Sequence, residues 1–142
     1  MKILVSDCLL GKNCRYCADN CKNQAVLDLG KAYQLIGVCP EQLGGLPTPR
    51  APAERVGNKI VAKTGADVTA EYTKGAQIAL QMAKDNDVAF AVLKAKSPSC
   101  GKGLIYDGTF TGGKVAGNGV TAELLMANGF EVYTEDELHL IH

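Results

Sequence analysis

Lys2-Ile3-Leu4-Val5-Ser6-Asp7-Cys8 opens the chain with a strand signal that runs directly into a cysteine. Residues 3–5 are apolar and partly β-branched, with no polar alternation. That pattern predicts a strand buried on both faces, as in a parallel sheet covered by helices. Two later runs, 33–38 and 88–93, have the same character and are predicted as its parallel neighbours.

Between these runs the spacing turns helical. Tyr72, Ala76, Ala79, Leu80 and Ala83 fall on one face at 3.6 residues per turn, with Thr69 or Asp67 available as the cap. A second helix is predicted over 120–128, with Asn118 as its N-cap and Gly129 ending it, followed by a last strand over 130–133. Gly57-Asn58 and Asp107-Gly108, each flanked by β-prone residues, predict two tight hairpins, the second pairing Ile105-Tyr106 with Thr109-Phe110. Strands that alternate with helices need crossovers, and crossovers make parallel neighbours. The fold expected is α/β: a single domain over 1–142, Rossmann-like and three-layered, with a mainly parallel sheet and small β-hairpin additions.

The bulk properties narrow the function. At 142 residues the chain can bury a core without disulfides, and its 46% hydrophobic content is that of a globular protein. Fifteen basic residues balance fifteen acidic ones, so no positive field exists to hold nucleic acid, and none is expected as partner. The N-terminal run is too short for a secretory leader and no apolar run is long enough to span a bilayer, so no membrane is expected and the location expected is cytoplasmic. In that compartment thiols stay reduced, and the six cysteines are expected to bind metal or react rather than to pair.

Cys8 follows the first strand, Cys39 the second, and Cys100 comes a few residues after the run ending at Leu93. Open α/β sheets bind ligands beyond the carboxyl ends of their strands, so three segments remote in sequence are predicted to deliver three thiolates to one place. Thiolates suit iron–sulfur clusters, zinc and monovalent copper. A four-iron cluster held by three cysteines would leave one iron open, which is the arrangement of a catalytic rather than a structural metal site. A rival grouping is local: Cys14, Cys17 and Cys21 form a Cys-x-x-Cys-x-x-x-Cys run that would serve a zinc-binding or redox-sensing module without catalysis. A third possibility is an enzyme of the same architecture that needs no iron.

Segment 40–52 holds four of the five prolines together with Gly44-Gly45, and is expected to be a shaped irregular loop. In it, Glu41 stands two residues beyond Cys39, within reach to move a proton on something bound there, or to pair with Arg50. Arg50, between Pro49 and Ala51-Pro52, is a candidate to bind a planar substrate, or to pair with Glu54. Ser97-Pro98-Ser99-Cys100-Gly101 offers Ser97 and Ser99 as proton relays or substrate-orienting hydroxyls, or simply as turn formers, beside a glycine that permits close backbone approach. Gly117-Asn118-Gly119 opens a helix whose first amides would receive an anion. Gly112-Gly113-Lys114 completes no phosphate-binding loop, and no dinucleotide fingerprint is present. His139 and His142 lie at the C-terminus and are expected on the surface, which disfavours a Ser-His-Asp hydrolase.

The strings Ser6-Asp7-Cys8-Leu9-Leu10-Gly11, Cys39-Pro40-Glu41 with Gly44-Gly45-Leu46 and Pro49-Arg50, and Ser97-Pro98-Ser99-Cys100-Gly101 closely resemble the thiouracil desulfidase family, formerly a domain of unknown function. Gly65-Ala66-Asp67-Val68-Thr69, Ile105-Tyr106-Asp107-Gly108-Thr109-Phe110 and Gly119-Val120-Thr121-Ala122 extend the likeness, in order, over nearly the whole chain. The resemblance implies a 4Fe-4S cluster on Cys8, Cys39 and Cys100 that takes the sulfur of a thiolated nucleobase such as 2-thiouracil. It also implies an acid–base pair of Glu41 with a serine, Ser97 in preference to Ser99. The sequence departs from the family after Cys14-Arg15-Tyr16, where aspartate and glycine are usual and Cys17-Ala18-Asp19 stands here. The resemblance does not extend to the additional C-terminal domain that some relatives carry, including ones resembling enzymes that act on thiolated transfer RNA. With zero net charge, a small-molecule thiolated substrate such as a free base is expected.

Overall fold

The structure is a computed structural model and describes residues 1–141; the expectation for His142 lies outside them. In chain order the elements are β1 (Lys2–Ser6), α1 (Gln24–Asp28), β2 (Gln34–Val38), α2 (Pro40–Leu43), β3 (Ala53–Val56), β4 (Lys59–Ala62), α3 (Thr69–Asp85), β5 (Ala91–Leu93), β6 (Leu104–Tyr106), β7 (Lys114–Ala116), α4 (Val120–Ala127) and β8 (Val132–Thr134). Four of the strands form one sheet in the order β2-β1-β5-β8, with every neighbouring pair parallel. The predicted α/β architecture with a mainly parallel sheet is the one found.

The apolar opening of the chain explains the layers. Ile3, Leu4 and Val5 are all fully buried. Because strand side chains alternate, Leu4 faces one layer and Ile3 and Val5 the other. Leu4 packs into a core with Ala79 and Ala83 of α3 and Leu125 of α4. Ile3 and Val5 pack with Val26 of α1, Phe90 and Val92, and Leu138 of the C-terminal 3-10 segment Glu135–Leu140. No helix among the described residues is long and apolar enough to cross a membrane.

Several local expectations are corrected. The run 88–93 is in ladder pairing only from Ala91, although Ala89 N still donates to Lys2 O at 2.8 Å. The last strand starts later than predicted, at Val132. Segment 40–52 is not wholly irregular, since Pro40, free of an amide hydrogen, starts the short helix α2. Val68 holds the N-cap of α3, while Asp67 Oδ1 accepts from Thr69 N and the Thr69 hydroxyl accepts from Ile60 N, tying the helix to β4. Gly119, not Asn118, caps α4; the Asn118 side chain accepts from Gly103 N instead.

The β3–β4 hairpin turns at Gly57-Asn58 as predicted. The second hairpin does not turn at Asp107-Gly108: β6 pairs with β7 across a longer loop. Gly108 N and Phe110 N both donate to Glu54 Oε1, so amides that a tight ladder would need are spent on β3.

Two glycines set how closely α3 approaches α2. A Cβ on Gly75 would fall far inside van der Waals contact with Pro40 O, and a Cβ on Gly44 would do the same with Glu71 O. Gly75→Ala gains roughly 1 kcal/mol of helix propensity. It must also drive one backbone off another, which costs about 1–3 kcal/mol or more because a carbonyl cannot rotate aside. The clash wins, and the urea unfolding midpoint is expected to fall. A midpoint at or above that of the wild type would show that the two helices part without cost.

Candidate active site

The strands β1, β2 and β5 end together at a cavity of about 330 Å³. Cys8 sits in the 3-10 turn Asp7–Leu10 that follows β1, Cys39 closes β2 as the N-cap of α2, and Cys100 lies in the loop after β5. All three line the cavity, all are buried, and all are free thiols. Ser6, the last residue of β1, ties two of these loops: its hydroxyl donates to Cys100 Sγ at 3.5 Å and accepts from Lys94 N at 3.0 Å.

A fourth thiol joins them. Cys14 is buried in the same wall, and its carbonyl accepts from Cys39 Sγ at 3.8 Å. Contact with Cys39 pulls the Cys14 thiol down, but contact with Cys8 and burial outweigh it and leave the group at about 12. Contact with Cys14, then burial, raises Cys39. Burial raises Cys100 to about 12. Thiols held this far above their ordinary range ionise when a positive centre joins them, and a metal does this outright. The donor set therefore fits a metal group.

Among the described residues no group of three or more histidine, cysteine or acidic side chains is arranged to hold a single metal ion, neither the cavity cysteines nor the local grouping. Of that local grouping, Cys14 lines the cavity, whereas Cys17 is exposed, Cys21 is half-buried, and neither of these two lines it.

Glu41 projects from the first turn of α2 into this cavity. Arg50 holds it: Arg50 Nη2 donates to Glu41 Oε2 at 3.0 Å and to Cys14 O at 3.1 Å, while Nη1 donates to Pro47 O and to Thr48 Oγ1. Burial lifts the Glu41 carboxyl above the usual carboxylate range, and the Arg50 charge opposes that lift. Arg50 also lines the cavity, but its four terminal N–H hydrogens all have protein acceptors. Its pairing with Glu54, one of the alternatives read from sequence, is not formed; Glu54 serves the loop at Gly108 and Phe110.

The two serines diverge. Ser97 lines the cavity, and its Oγ accepts from both Ser99 N and Cys100 N at 3.0 Å. With both lone pairs engaged, its hydroxyl proton is free to point at a ligand. Ser99 is fully buried, shares a 2.8 Å hydrogen bond with the Thr121 hydroxyl, and is not part of the lining. The amides that open α4 are not free for an anion: Val120 N and Thr121 N donate to Pro98 O and Ser99 O. His139 is exposed.

Sequence reasoning missed Ser6, Tyr72 and Lys94 in the lining, and placed Cys14 elsewhere. For Ser6 a signal existed, because the last residue of a parallel strand points where ligands bind. For Tyr72 none did, since its helical spacing is that of any core residue.

Comparison with known proteins adds an outside view of this geometry. Residues 3–137 match the family described as 2-thiouracil desulfurase. The chain is 44% identical over 147 residues to the uncharacterized protein YbbK of Bacillus subtilis (strain 168), covering 96% of this chain and 97% of that one. It also resembles a solved structure of the 4Fe-4S-dependent thiouracil desulfidase TudS, with a TM-score of 0.92 and 45% identity over 98% of this chain and 93% of the other.

Proposed function

Because the chain belongs to the 2-thiouracil desulfurase family, we propose that it is a 4Fe-4S-dependent desulfidase that removes sulfur from 2-thiouracil or a similar small thiocarbonyl compound and releases it as sulfide. The observation that carries this reading is the convergence of Cys8, Cys39 and Cys100, from three strand ends, on one buried cavity beside Glu41.

Those three cysteines would hold the cluster. When bound, a cluster with one iron free of protein ligands supplies a Lewis acid for the thiocarbonyl sulfur. The overall change is hydrolytic: water oxygen bonds to the thiocarbonyl carbon, the carbon–sulfur bond breaks, and no electrons are gained or lost. Glu41 takes a proton from the attacking water, and Ser97 directs its free hydroxyl hydrogen toward the leaving sulfur. Arg50 serves this step through Glu41, by fixing the carboxylate and the Cys14 carbonyl in one frame. The cavity volume lies at the small end of ligand pockets, roughly 300–1,000 Å³, which suits a free base. Reduced thiols and an oxygen-sensitive cluster suit the cytoplasm.

The test is anaerobic purification and reconstitution, followed by iron and sulfide assays and incubation with 2-thiouracil. Brown protein with about four iron atoms per chain, and formation of uracil with sulfide, are expected. Loaded protein that leaves 2-thiouracil intact, or protein that takes up no iron, would defeat the reading.

A further inference from the structure

We infer that the Tyr72 hydroxyl is a substrate-binding group that donates a hydrogen bond to a ring carbonyl of the thiolated heterocycle, and so selects substrates that carry one. This deepens the desulfidase reading and rests on it. Tyr72 is 3% exposed, yet it lines the cavity that holds the three cysteines and Glu41. Its ring also borders a second, smaller cavity lined by Leu46, Ala62, Ala66 and Val68, and so stands as a partition between the two.

The position is built. Gly44 and Gly75 let α3 press against α2, and this brings the first turns of α3 beside Glu41. There Tyr72 shares the cavity wall with Glu41, Arg50 and Cys100. Arg50 meets the phenol oxygen as a donor but offers its hydrogen no acceptor, because a guanidinium only donates. The charge of Glu41 is felt at Tyr72, but no hydrogen bond joins the two among the described residues. A nearly buried O–H that points into a ligand cavity without an acceptor is completed by the ligand. A phenol is protonated at neutral pH, so it remains a donor.

Chemistry names the acceptor. A heterocycle whose thiocarbonyl points at the cysteines leaves its remaining polar edge toward the other walls. In 2-thiouracil that edge carries a carbonyl, whereas pyrimidine-2-thione has none. A site built around such a donor discriminates against the analogue that lacks the acceptor.

The experiment compares reconstituted wild type with Tyr72→Phe, which keeps the ring and the partition. Three quantities are measured: uracil affinity by calorimetric titration, kcat and KM for 2-thiouracil and for pyrimidine-2-thione, and cluster absorbance as a control. In the variant, uracil Kd and the KM for 2-thiouracil are expected to rise by roughly tenfold. The preference for 2-thiouracil over pyrimidine-2-thione should shrink by the same factor, with the cluster unchanged. Equal uracil affinity and an unchanged substrate preference in the two proteins would overturn this inference alone. Loaded wild type that neither binds uracil nor consumes 2-thiouracil would overturn it together with the desulfidase reading.

Discussion

Cys39→Ser is expected to yield folded, colourless protein with desulfidase activity at least about 10³-fold below wild type, since a Lewis acid contributes several kcal/mol to such a step and each 1.36 kcal/mol is a decade of rate. The substitution separates cluster from fold unusually well. Cys39 is the N-cap of α2 and its side chain makes no capping bond there. Serine is a preferred N-cap, so the exchange leaves the helix at least as stable as before. The sulfur itself lies beside Cys14, where its thiol donates to the Cys14 carbonyl. Cys17→Ser is the matched control, because Cys17 is exposed and outside the cavity lining. Iron and visible absorbance of the two variants, purified without oxygen, check the expectation. Retention of cluster and turnover by Cys39→Ser would transfer the third ligand to another thiol, and Cys14 would be the first to examine.

What was legible in the chain was legible for physical reasons. The buried faces of Ile3, Leu4 and Val5 demanded cover on both sides, and that demand alone leads to a parallel sheet between helices. The carboxyl-end rule then placed Cys8, Cys39 and Cys100 together, although Cys100 lies far from the other two in sequence. What escaped was set by tertiary competition for hydrogen bonds. Nearness along the chain paired Arg50 with Glu54, but Glu54 is drawn off by the amides of Gly108 and Phe110, which also dissolves the predicted turn at Asp107-Gly108. Local spacing grouped Cys14 with Cys17 and Cys21. The turn after β1 instead buries Cys14 in the cavity wall and leaves Cys17 in solvent. Asn118 does not cap α4 because its side chain is drawn to Gly103 N, a contact no local pattern records.

Glu41→Gln tests whether the carboxylate moves a proton or merely braces the loop. Glutamine preserves the length of the side chain and an oxygen to accept from Arg50 Nη2, so the frame of Arg50, Pro47, Thr48 and Cys14 has its acceptors still in place. What is lost is the ability to take a proton from water. General-base contributions of this kind are about 10²–10⁴-fold, and kcat is expected to fall within that range while KM and cluster content stay near wild type. A structural role predicts another pattern. Arg50 is nearly buried, with 6% of its side chain exposed, and removing the partner charge of such a pair weakens the fold. If bracing were the only role of Glu41, the variant would show a lower unfolding midpoint and reduced iron uptake, with normal turnover for each loaded site. Turnover per bound cluster therefore decides between the two, and a Glu41→Gln protein at wild-type turnover per cluster would remove Glu41 from the chemistry.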